Sequence, residues 1–322
     1  APSGPTVLVG CGPLLLLVGC QLLDAGTPIV ALVETSSSSN RWAALRHLGR
    51  ALLSPGYLLK GLSMLMRLRK AGIPFFSNAM DVQIKGNERA TSVSFIHNGD
   101  ERELDAETVL LHHGVIPNTQ LSRLMRVDHR WDEAQLAWHP VVDEGYQTSL
   151  NGFRVTGDGA AISGALAAQA SGAIAAVAAM RAMGRISVAE AGLIEAPWRS
   201  MLSRQLRIRP FLDALYQPPS WLTEPSDSTL VCRCEEVTAG QIRQMVRLGC
   251  MGPNQTKFFS RCGMGPCQGR QCGTAVSQIM AKCLGQSVQA VGSFRIRSPL
   301  KPISLESVAA LSDQETSVVK GI

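Results

Sequence analysis

The apolar positions near the start of the chain form two short strand-like runs with a longer helical run between them. The β-branched run TVLVG leads into the turn GCGP, the apolar stretch LLLLVGCQLLDAG and a second run, PIVALVE. Gly26 lies where a helix of this length would end. This order predicts a strand, a glycine turn, a buried helix and a second strand, which form a βαβ unit with a parallel sheet.

The middle of the chain changes between helical and strand-like patterns. Residues Trp42–Gly72 predict helix interrupted at Ser54–Gly56, and in the alternating runs that follow, Asn98-Gly99 predicts a hairpin turn. From Tyr146 to Ile186 the sequence predicts a strand, FRVTG, then a turn and a long helix of small residues. Aromatic residues make up only 5% of the chain, so tightly packed α/β units are favoured over a β-sandwich.

Length and charge narrow the class of protein. A chain of 322 residues with 45% hydrophobic and 17% charged residues is typical of a soluble globular protein of two or three domains. From Trp198 onward, 15 Lys+Arg stand against 8 Asp+Glu. This basic part is either an ordinary solvated surface or a docking face for an acidic partner or an anionic metal cluster. Basic and aromatic residues are not interleaved, so no nucleic-acid partner is expected.

The location of the protein is predicted from its apolar segments and cysteines. No basic segment precedes the first apolar run, so no signal peptide is expected, and GPLLLLVGCQLL is too short to span a bilayer. Six of the nine cysteines fall between Cys232 and Cys272. This clustering favours metal binding over a disulfide scaffold and predicts a reducing, cytoplasmic environment.

The glycine turn after the first strand predicts a nucleotide site. Gly10 and Gly12 would let the backbone approach a pyrophosphate at the helix N-terminus, and Glu34 ends the second strand, where an acid can bind a ribose hydroxyl. The third small position of the usual G-x-G-x-x-[GA] pattern is Leu15, which we expect to hold the helix off the strand or to crowd the nucleotide. The pattern therefore predicts a Rossmann-type unit that binds NAD, another adenine nucleotide or nothing.

A second glycine motif follows the strand FRVTG. The stretch FRVTGDGAAISGA, with Gly157 and Asp158, resembles the second flavin-binding motif of the glutathione-reductase-like flavoproteins. VLLHHGVIPNT resembles the same family's G-x-x-P-N turn at Gly114, Pro117 and Asn118. The resemblance implies that Asp158 binds the ribityl chain of FAD and that the next helix faces the pyrophosphate. The alternative role for Asp158 is a helix N-cap.

The resemblance also implies that part of the flavin site lies outside this sequence. In that family the nicotinamide-type unit is inserted between two halves of the flavin domain. The present chain begins almost at the inserted unit. We therefore expect one of three cases: a missing segment completes the FAD site, another polypeptide completes it, or the site is incomplete.

The cysteines form the pattern C-x-C, a spacer, and C-x4-C. Cys232 and Cys234 make the first pair, Cys267 and Cys272 the second, and Cys262 precedes Cys267 by five residues. Thiolates are suitable ligands for iron–sulfur clusters and Zn²⁺, and glycine-rich loops such as GMGPCQGRQCG can direct backbone N–H groups to the sulfurs. The pattern favours a [2Fe–2S] cluster, with structural zinc and thiol redox chemistry as alternatives.

The sequence around these cysteines resembles a known iron–sulfur domain. VCRCEEVTAGQI, GPNQTK and RCGMGPCQGRQCG resemble the [2Fe–2S] domain related to bacterioferritin-associated ferredoxin, in the version fused to flavoproteins. Nearly the whole chain is similar to the A subunits of heteromeric flavoenzymes of the opine oxidase, hydrogen cyanide synthase and hydroxyproline dehydrogenase type. The resemblance implies Cys232, Cys234, Cys267 and Cys272 as ligands, with Cys262 as the competing candidate.

These motifs divide the chain into five parts. We predict an NAD(P)-type Rossmann unit over residues 1–120 and the second part of an FAD-type domain over residues 121–196. A linker with a short helix over 197–227 would lead to a small, mainly helical [2Fe–2S] domain over 228–285. A tail over 286–322 follows.

The resemblance implies an electron-transfer subunit with no substrate-oxidising residues of its own. A partner subunit with FAD would oxidise a C–N bond, and a small ferredoxin-like subunit is a possible second partner. Electrons would pass through the cluster to a second flavin or an external acceptor, which could place the complex at the inner membrane surface. The two alternatives are a self-sufficient NADH-dependent flavoprotein reductase and a structural zinc scaffold.

Overall fold

The computed structural model describes residues 2–310 and separates them into two compact units. The first unit contains the residues up to Pro117 together with Trp131–Thr223. The second unit contains Asn118–Arg130 and the chain from Glu224 onward. The last twelve residues of the predicted tail lie outside the described residues. The five predicted domain boundaries stay predictions.

A parallel sheet of four strands, in the order β3-β2-β1-β7, forms the centre of the first unit. Its members are β1 (Thr6–Gly10), β2 (Ile29–Glu34), β3 (Phe75–Phe76) and β7 (Thr108–His112). Helix α1 (Pro13–Asp24) connects β1 to β2. The central strand β1 is buried along its whole length, as expected for a parallel strand covered on both faces. The predicted βαβ unit is therefore confirmed.

Two layers cover this sheet. On one face α4 (Pro55–Lys70) packs against α1, and on the other lies the antiparallel sheet of β4 (Met80–Lys85), β5 (Ser92–His97) and β6 (Asp100–Asp105). The shorter helices α2 (Ser38–Leu45) and α3 (Leu48–Leu52) precede α4. Asn98 and Gly99 both have positive φ, which confirms the predicted hairpin turn between β5 and β6.

The remainder of the first unit is mostly helical. The strands β8 (His129–Asp132), whose first two residues are assigned to the second unit, and β9 (Ala137–Pro140) form a hairpin. After it, helix α6 (Ala165–Ala182) packs against α7 (Val188–Leu206). A capping box of Ser187 and Glu190 starts α7, which continues through Pro197 because it packs along α6. Helices α8 (Arg209–Leu215) and α9 (Ser220–Thr223) follow.

Helix α6 is long and apolar enough to pass a membrane-span test based on length and composition. One such helix is weak evidence, because a core helix of a soluble protein also passes this test. The side of α6 that contains Ala167, Ala170, Ile174 and Ala178 is buried within the first unit.

The second unit is a small helical assembly around one apolar core. It contains the two-stranded ribbon of β10 (Leu230–Cys232) and β11 (Val237–Thr238). Its helices are α5 (Gln120–Leu124), α10 (Ala239–Arg247), α11 (Pro253–Ser260), α12 (Gly273–Leu284) and α13 (Val288–Val291). Ile242, Val276, Ile279, Met280 and Phe294 fill the core together with three buried cysteines of the predicted metal site.

Candidate functional site

The first predicted site lies at the carboxyl edge of the parallel sheet. Gly10 has φ 140°, and a Cβ added there would lie 1.7 Å from the carbonyl oxygen of His112, so only glycine fits. The Cys11 N–H donates to that same oxygen at 2.8 Å. Gly12, with φ 105°, is the N-cap of α1. The turn therefore brings the N-terminus of α1 to the ends of β1 and β7.

Leu15 does not enter the predicted nucleotide cleft. It is 3% exposed and lies in the core between α1 and the sheet. Gly19 is also buried on α1, and a Cβ added there would make ordinary van der Waals contacts, at 3.4 Å with Leu68 and at 3.6 Å with Leu8.

Glu34 and Gly114 lie at the carboxyl ends of the two strands on either side of β1: Glu34 ends β2, and Gly114 follows β7. Glu34 pairs in register with Gly10, and burial raises the pKa of its carboxyl group, against the opposing effects of Ser36 and Arg41. Gly114, two residues after the end of β7, has φ 116° and open space around its Cα. The sheet thus brings the predicted residues Gly10, Gly12 and Glu34 to one edge.

A segment that we predicted to be part of a linker, Tyr216–Trp221, lies over this edge. The Cys11 thiol donates to the carbonyl oxygen of Tyr216 at 3.5 Å, and the Asn40 amide donates to that of Gln217 at 2.8 Å. The ring of Trp221 meets that of His113 at 5.7 Å between centroids. The chain's own residues therefore cover the strand ends where a dinucleotide would bind.

Ionisable groups under this segment are shifted towards their neutral forms. Burial, with smaller effects of Glu34 and Cys11, raises the pKa of Tyr216 to about 12. Burial, with Glu34, raises the pKa of Cys11 to about 11. Burial, with His112, lowers the pKa of His113 to about 4. These groups are neutral near pH 7, which disfavours thiol redox chemistry at Cys11.

The Gly157-Asp158 turn forms one side of a shallow cavity. Gly157 has φ 58°, its N–H donates to the Ser171 hydroxyl at 3.2 Å, and Asp158 is exposed. The N-cap of α6 is Gly164, so the alternative that Asp158 caps this helix is wrong. An exposed carboxylate above a helix of small residues fits the ribityl side of a flavin site. The neighbouring cavity has a volume of about 150 Å³ and is lined mainly by small residues.

The second predicted site is a cluster of thiols in the second unit. The sulfur atoms of Cys232, Cys262 and Cys272 all lie within 4.8 Å of one another, and each residue is at most 1% exposed. We call these three residues the buried trio. Hydrogen bonding to Cys262, together with burial, raises the pKa of the Cys272 thiol. A bound metal cation would stabilise the deprotonated form and so offset the energetic cost of a buried thiolate.

The other two predicted ligands, Cys234 and Cys267, form an outer pair whose thiols contact each other. Burial alone would raise the pKa of the Cys267 thiol. The backbone N–H groups of Gln271, Gly269 and Arg270 donate to its sulfur, however, and the pKa is lowered. The Cys267 N–H likewise donates to Cys234, whose pKa is nevertheless raised by the neighbouring thiol and by burial. The backbone is therefore arranged to stabilise negative charge on sulfur.

The glycine-rich loop between the cysteines has little room for side chains. A Cβ at Gly265 would lie 2.1 Å from the Cβ of Cys234, and one at Gly263 would lie 2.7 Å from the Phe294 ring. The Gly263 N–H points at the Cys232 sulfur, 3.5 Å away. Gln120, on α5, donates to the Gln268 carbonyl oxygen at 3.1 Å and supports the loop from outside.

The thiols suit a binuclear centre better than a single metal ion. Two thiolates on one tetrahedral metal lie about 3.8 Å apart, given metal–sulfur bonds of about 2.3 Å. A single zinc ion on the buried trio would leave the outer pair without a ligand role. A [2Fe–2S] cluster takes two thiolates per iron, and the trio and the pair together supply five. The residues present therefore fit a [2Fe–2S] cluster.

Two family models match parts of this chain. Residues 61–184 match the family model for pyridine nucleotide-disulphide oxidoreductases, and residues 226–312 match that for the sarcosine oxidase A3 domain. L-proline dehydrogenase from P. horikoshii has a similar fold, with a TM-score of 0.61 at 16% identity over 95% of this chain and 50% of that protein's chain. The predicted α/β class with a Rossmann-type flavoprotein unit is confirmed.

Two relatives place the chain more closely. It is 44% identical to the A subunit of opine oxidase from Rhizobium meliloti over 96% of its own length and 59% of the relative's. It is 30% identical to hydrogen cyanide synthase subunit HcnB from Pseudomonas aeruginosa over 97% of its length and 68% of the relative's. The chain spans about six tenths of the length of the curated relatives it matches. Because both similarities cover at least 96% of this chain, it belongs to the family of the opine oxidase A subunits and HcnB.

Proposed function

We propose that this chain is the electron-transfer subunit of a heteromeric FAD-dependent dehydrogenase that oxidises the C–N bond of an opine or amino acid. The names of its relatives, the A subunit of opine oxidase and the HcnB subunit of hydrogen cyanide synthase, describe parts of oxidoreductases and support this role. The observation that carries the proposal is the set of five thiols in the second unit, three buried and two facing outward, surrounded by backbone N–H donors.

Cys232, Cys234, Cys267 and Cys272 are the proposed ligands of a [2Fe–2S] cluster. When bound, such a cluster accepts and releases single electrons, which suits a neighbouring flavin that handles electrons in pairs. The buried trio excludes water from one side of the site, while Cys234 is exposed on the other. Backbone N–H groups point at the sulfurs of Cys232 and Cys267, where they would stabilise the negative charge of bound thiolates.

The surface around the outer pair fits an acidic partner. Arg233, Arg261 and Arg270 are exposed on the loops that contain the cysteines. Arg261 pairs with Glu235 at 2.8 Å, and Arg270 donates to the Cys267 carbonyl oxygen at 3.3 Å. Their charge attracts an acidic protein surface and orients it towards Cys234.

The first unit is the proposed nucleotide-binding part. Gly157 and Asp158 support FAD binding, completed by a segment or subunit outside this sequence, and Gly10, Gly12 and Glu34 form the possible site for NAD or another adenine nucleotide. The proposed partners are an FAD-containing substrate-oxidising subunit and a small ferredoxin-like subunit. The complex is proposed to be cytoplasmic, and it could associate with an electron acceptor at the inner membrane.

Purification of the protein with its native partners tests this proposal. We expect co-purification of a flavoprotein subunit, about two iron atoms per copy of this chain, and an EPR signal after reduction. Zinc in place of iron would favour the structural zinc scaffold and contradict the proposal. Rapid bleaching of flavin by NADH in this chain alone would favour the self-sufficient reductase.

A further inference from the structure

The predicted metal site contains one thiol more than a [2Fe–2S] cluster needs. The outer pair supplies two sulfurs, which is the number that one iron takes from the protein. The buried trio supplies three, so the surplus falls among Cys232, Cys262 and Cys272. Cys262 is the member of the trio that lies outside the C-x-C and C-x4-C pairs.

We propose that Cys262 is a reserve ligand, which replaces Cys272 or Cys232 on the inner iron when either thiol is lost. This inference rests on the proposed [2Fe–2S] site. The exchange breaks the iron–sulfur bond to the departing thiolate and forms one to Cys262, and the proton of the Cys262 thiol passes, directly or through solvent, to the departing thiolate. No oxidant or reductant is needed, because the iron and the sulfur keep their oxidation states.

The backbone holds Cys262 ready for this exchange. The preceding residue, Arg261, ends α11 in the left-handed conformation, with φ 61°. This turns the chain inward, and the Cys262 N–H donates to the Ser260 hydroxyl at 3.2 Å. Cys262 is fully buried, and its sulfur lies within 4.8 Å of those of Cys232 and Cys272. A small shift of one sulfur is therefore sufficient, with no refolding of the loop.

The same geometry predicts that replacement works on one side of the cluster only. Cys234 and Cys267 lie outside the buried trio, and Cys234 is exposed to solvent. Loss of either residue leaves the outer iron with one thiolate. Cys262 cannot replace it, because its buried position keeps its thiol at the inner iron. Cluster binding should therefore tolerate substitution of Cys272 and be sensitive to substitution of Cys234.

The test compares single and double variants of the protein purified with its partners. Cys262→Ala, Cys272→Ala, the double variant and Cys234→Ala are assayed for iron and acid-labile sulfide and by EPR after reduction. Cys283→Ala is the matched control, because this cysteine is exposed on α12 and outside the trio. We expect nearly full iron content in both single variants of the trio and in the control, and a loss of at least tenfold in the double variant and in Cys234→Ala.

Three results would overturn the inference. Cys272→Ala could lose the cluster as fully as Cys234→Ala does, Cys262→Ala could lose it alone, or the double variant could keep it. If Cys272→Ala fails to fold by circular dichroism, Cys272→Ser preserves the side-chain volume. Ligation by Cys262 then gives a spectrum like that of the wild type, whereas ligation by the serine oxygen shifts the absorption and EPR signals and contradicts the inference. A wild-type protein without iron would contradict the proposed function itself.

Discussion

The thiol of Cys11 donates a hydrogen bond to the backbone carbonyl oxygen of Tyr216, 205 positions later in the chain, at 3.5 Å. Cys11 stands between the two glycines of the nucleotide turn, and the Tyr216 side chain is close enough to Glu34 for its pKa to be raised by that carboxylate. Tyr216 therefore lies close to both parts of the predicted dinucleotide site, the glycine turn at Cys11 and the carboxylate of Glu34. We call Tyr216–Trp221 the covering segment.

A nucleotide that binds at this edge has to displace or rearrange Tyr216–Trp221. The contacts it would break include the Asn40 hydrogen bond to Gln217 and the ring contact between His113 and Trp221. Their loss opposes nucleotide binding. The covering segment thus weakens binding of an adenine nucleotide without any change in the glycine turn.

We expect Tyr216→Ala to bind ADP-ribose and NADH more tightly than the wild-type chain. Full burial of an apolar side chain is worth about 1.5–3 kcal/mol and 1.4 kcal/mol is a factor of ten; because Tyr216 is only partly buried, the gain should be up to about tenfold. Isothermal titration calorimetry measures it directly. Tyr57→Ala is the matched control, because Tyr57 is a half-exposed tyrosine on α4 in the same unit. Weaker binding in Tyr216→Ala would mean that this ring lines the nucleotide pocket instead of covering it.

Gly265→Ala should disrupt the thiol cluster. The new Cβ would lie 2.1 Å from that of Cys234, and both atoms are fixed by the backbone, so the loop has to move. Such overpacking destabilises by about 1–3 kcal/mol, and here it would also displace the outer pair. We expect reduced iron content and a lower melting temperature. Gly172→Ala, on α6 with open space around its Cα, should change neither, and equal iron content in the two variants would contradict the expected role of Gly265.

The sequence was sufficient for the βαβ part of the first unit. Continuous apolar strands and the glycine turn predict the βαβ unit, because their signals are local. Four cysteines in two spaced pairs predict a metal site for the same reason. What the sequence did not reveal depends on contacts between distant residues: the burial of Cys262 beside Cys232 and the position of Tyr216 over Cys11.

Residues 197–206 show how packing can override a local signal. Pro197 removes one helical N–H donor and suggests a break, so the sequence predicted a linker from this point. The structure continues α7 to Leu206, because the helix lies along α6 and its contacts outweigh the lost hydrogen bond. No local pattern near Pro197 contains this information.

His113 should make the first unit less stable as the pH falls from 7 to 5. Its pKa is about 4 in the folded chain and about 6.5 in the unfolded chain, so the unfolded state binds more protons between these values. Stability is therefore retained above pH 6.5 and lost as the pH falls towards 4. Allowing for partial solvent screening, we expect a loss of about 1 kcal/mol by pH 5. His113→Gln should flatten the pH dependence in thermal denaturation, whereas an unchanged slope would contradict this assignment.

Arg270→Glu should slow electron transfer between this subunit and its partner. Arg270 is exposed beside Cys267, so reversing its charge repels an acidic docking surface while leaving the thiols in place. We expect about a tenfold decrease in the rate of cluster reduction by stopped flow at low ionic strength, with the difference shrinking as salt is added. Arg247→Glu is the matched control, because Arg247 is an exposed arginine at the end of α10, away from the cysteine loops in sequence. Equal rates for the two variants at low salt, with full iron content in both, would exclude this loop as the docking surface.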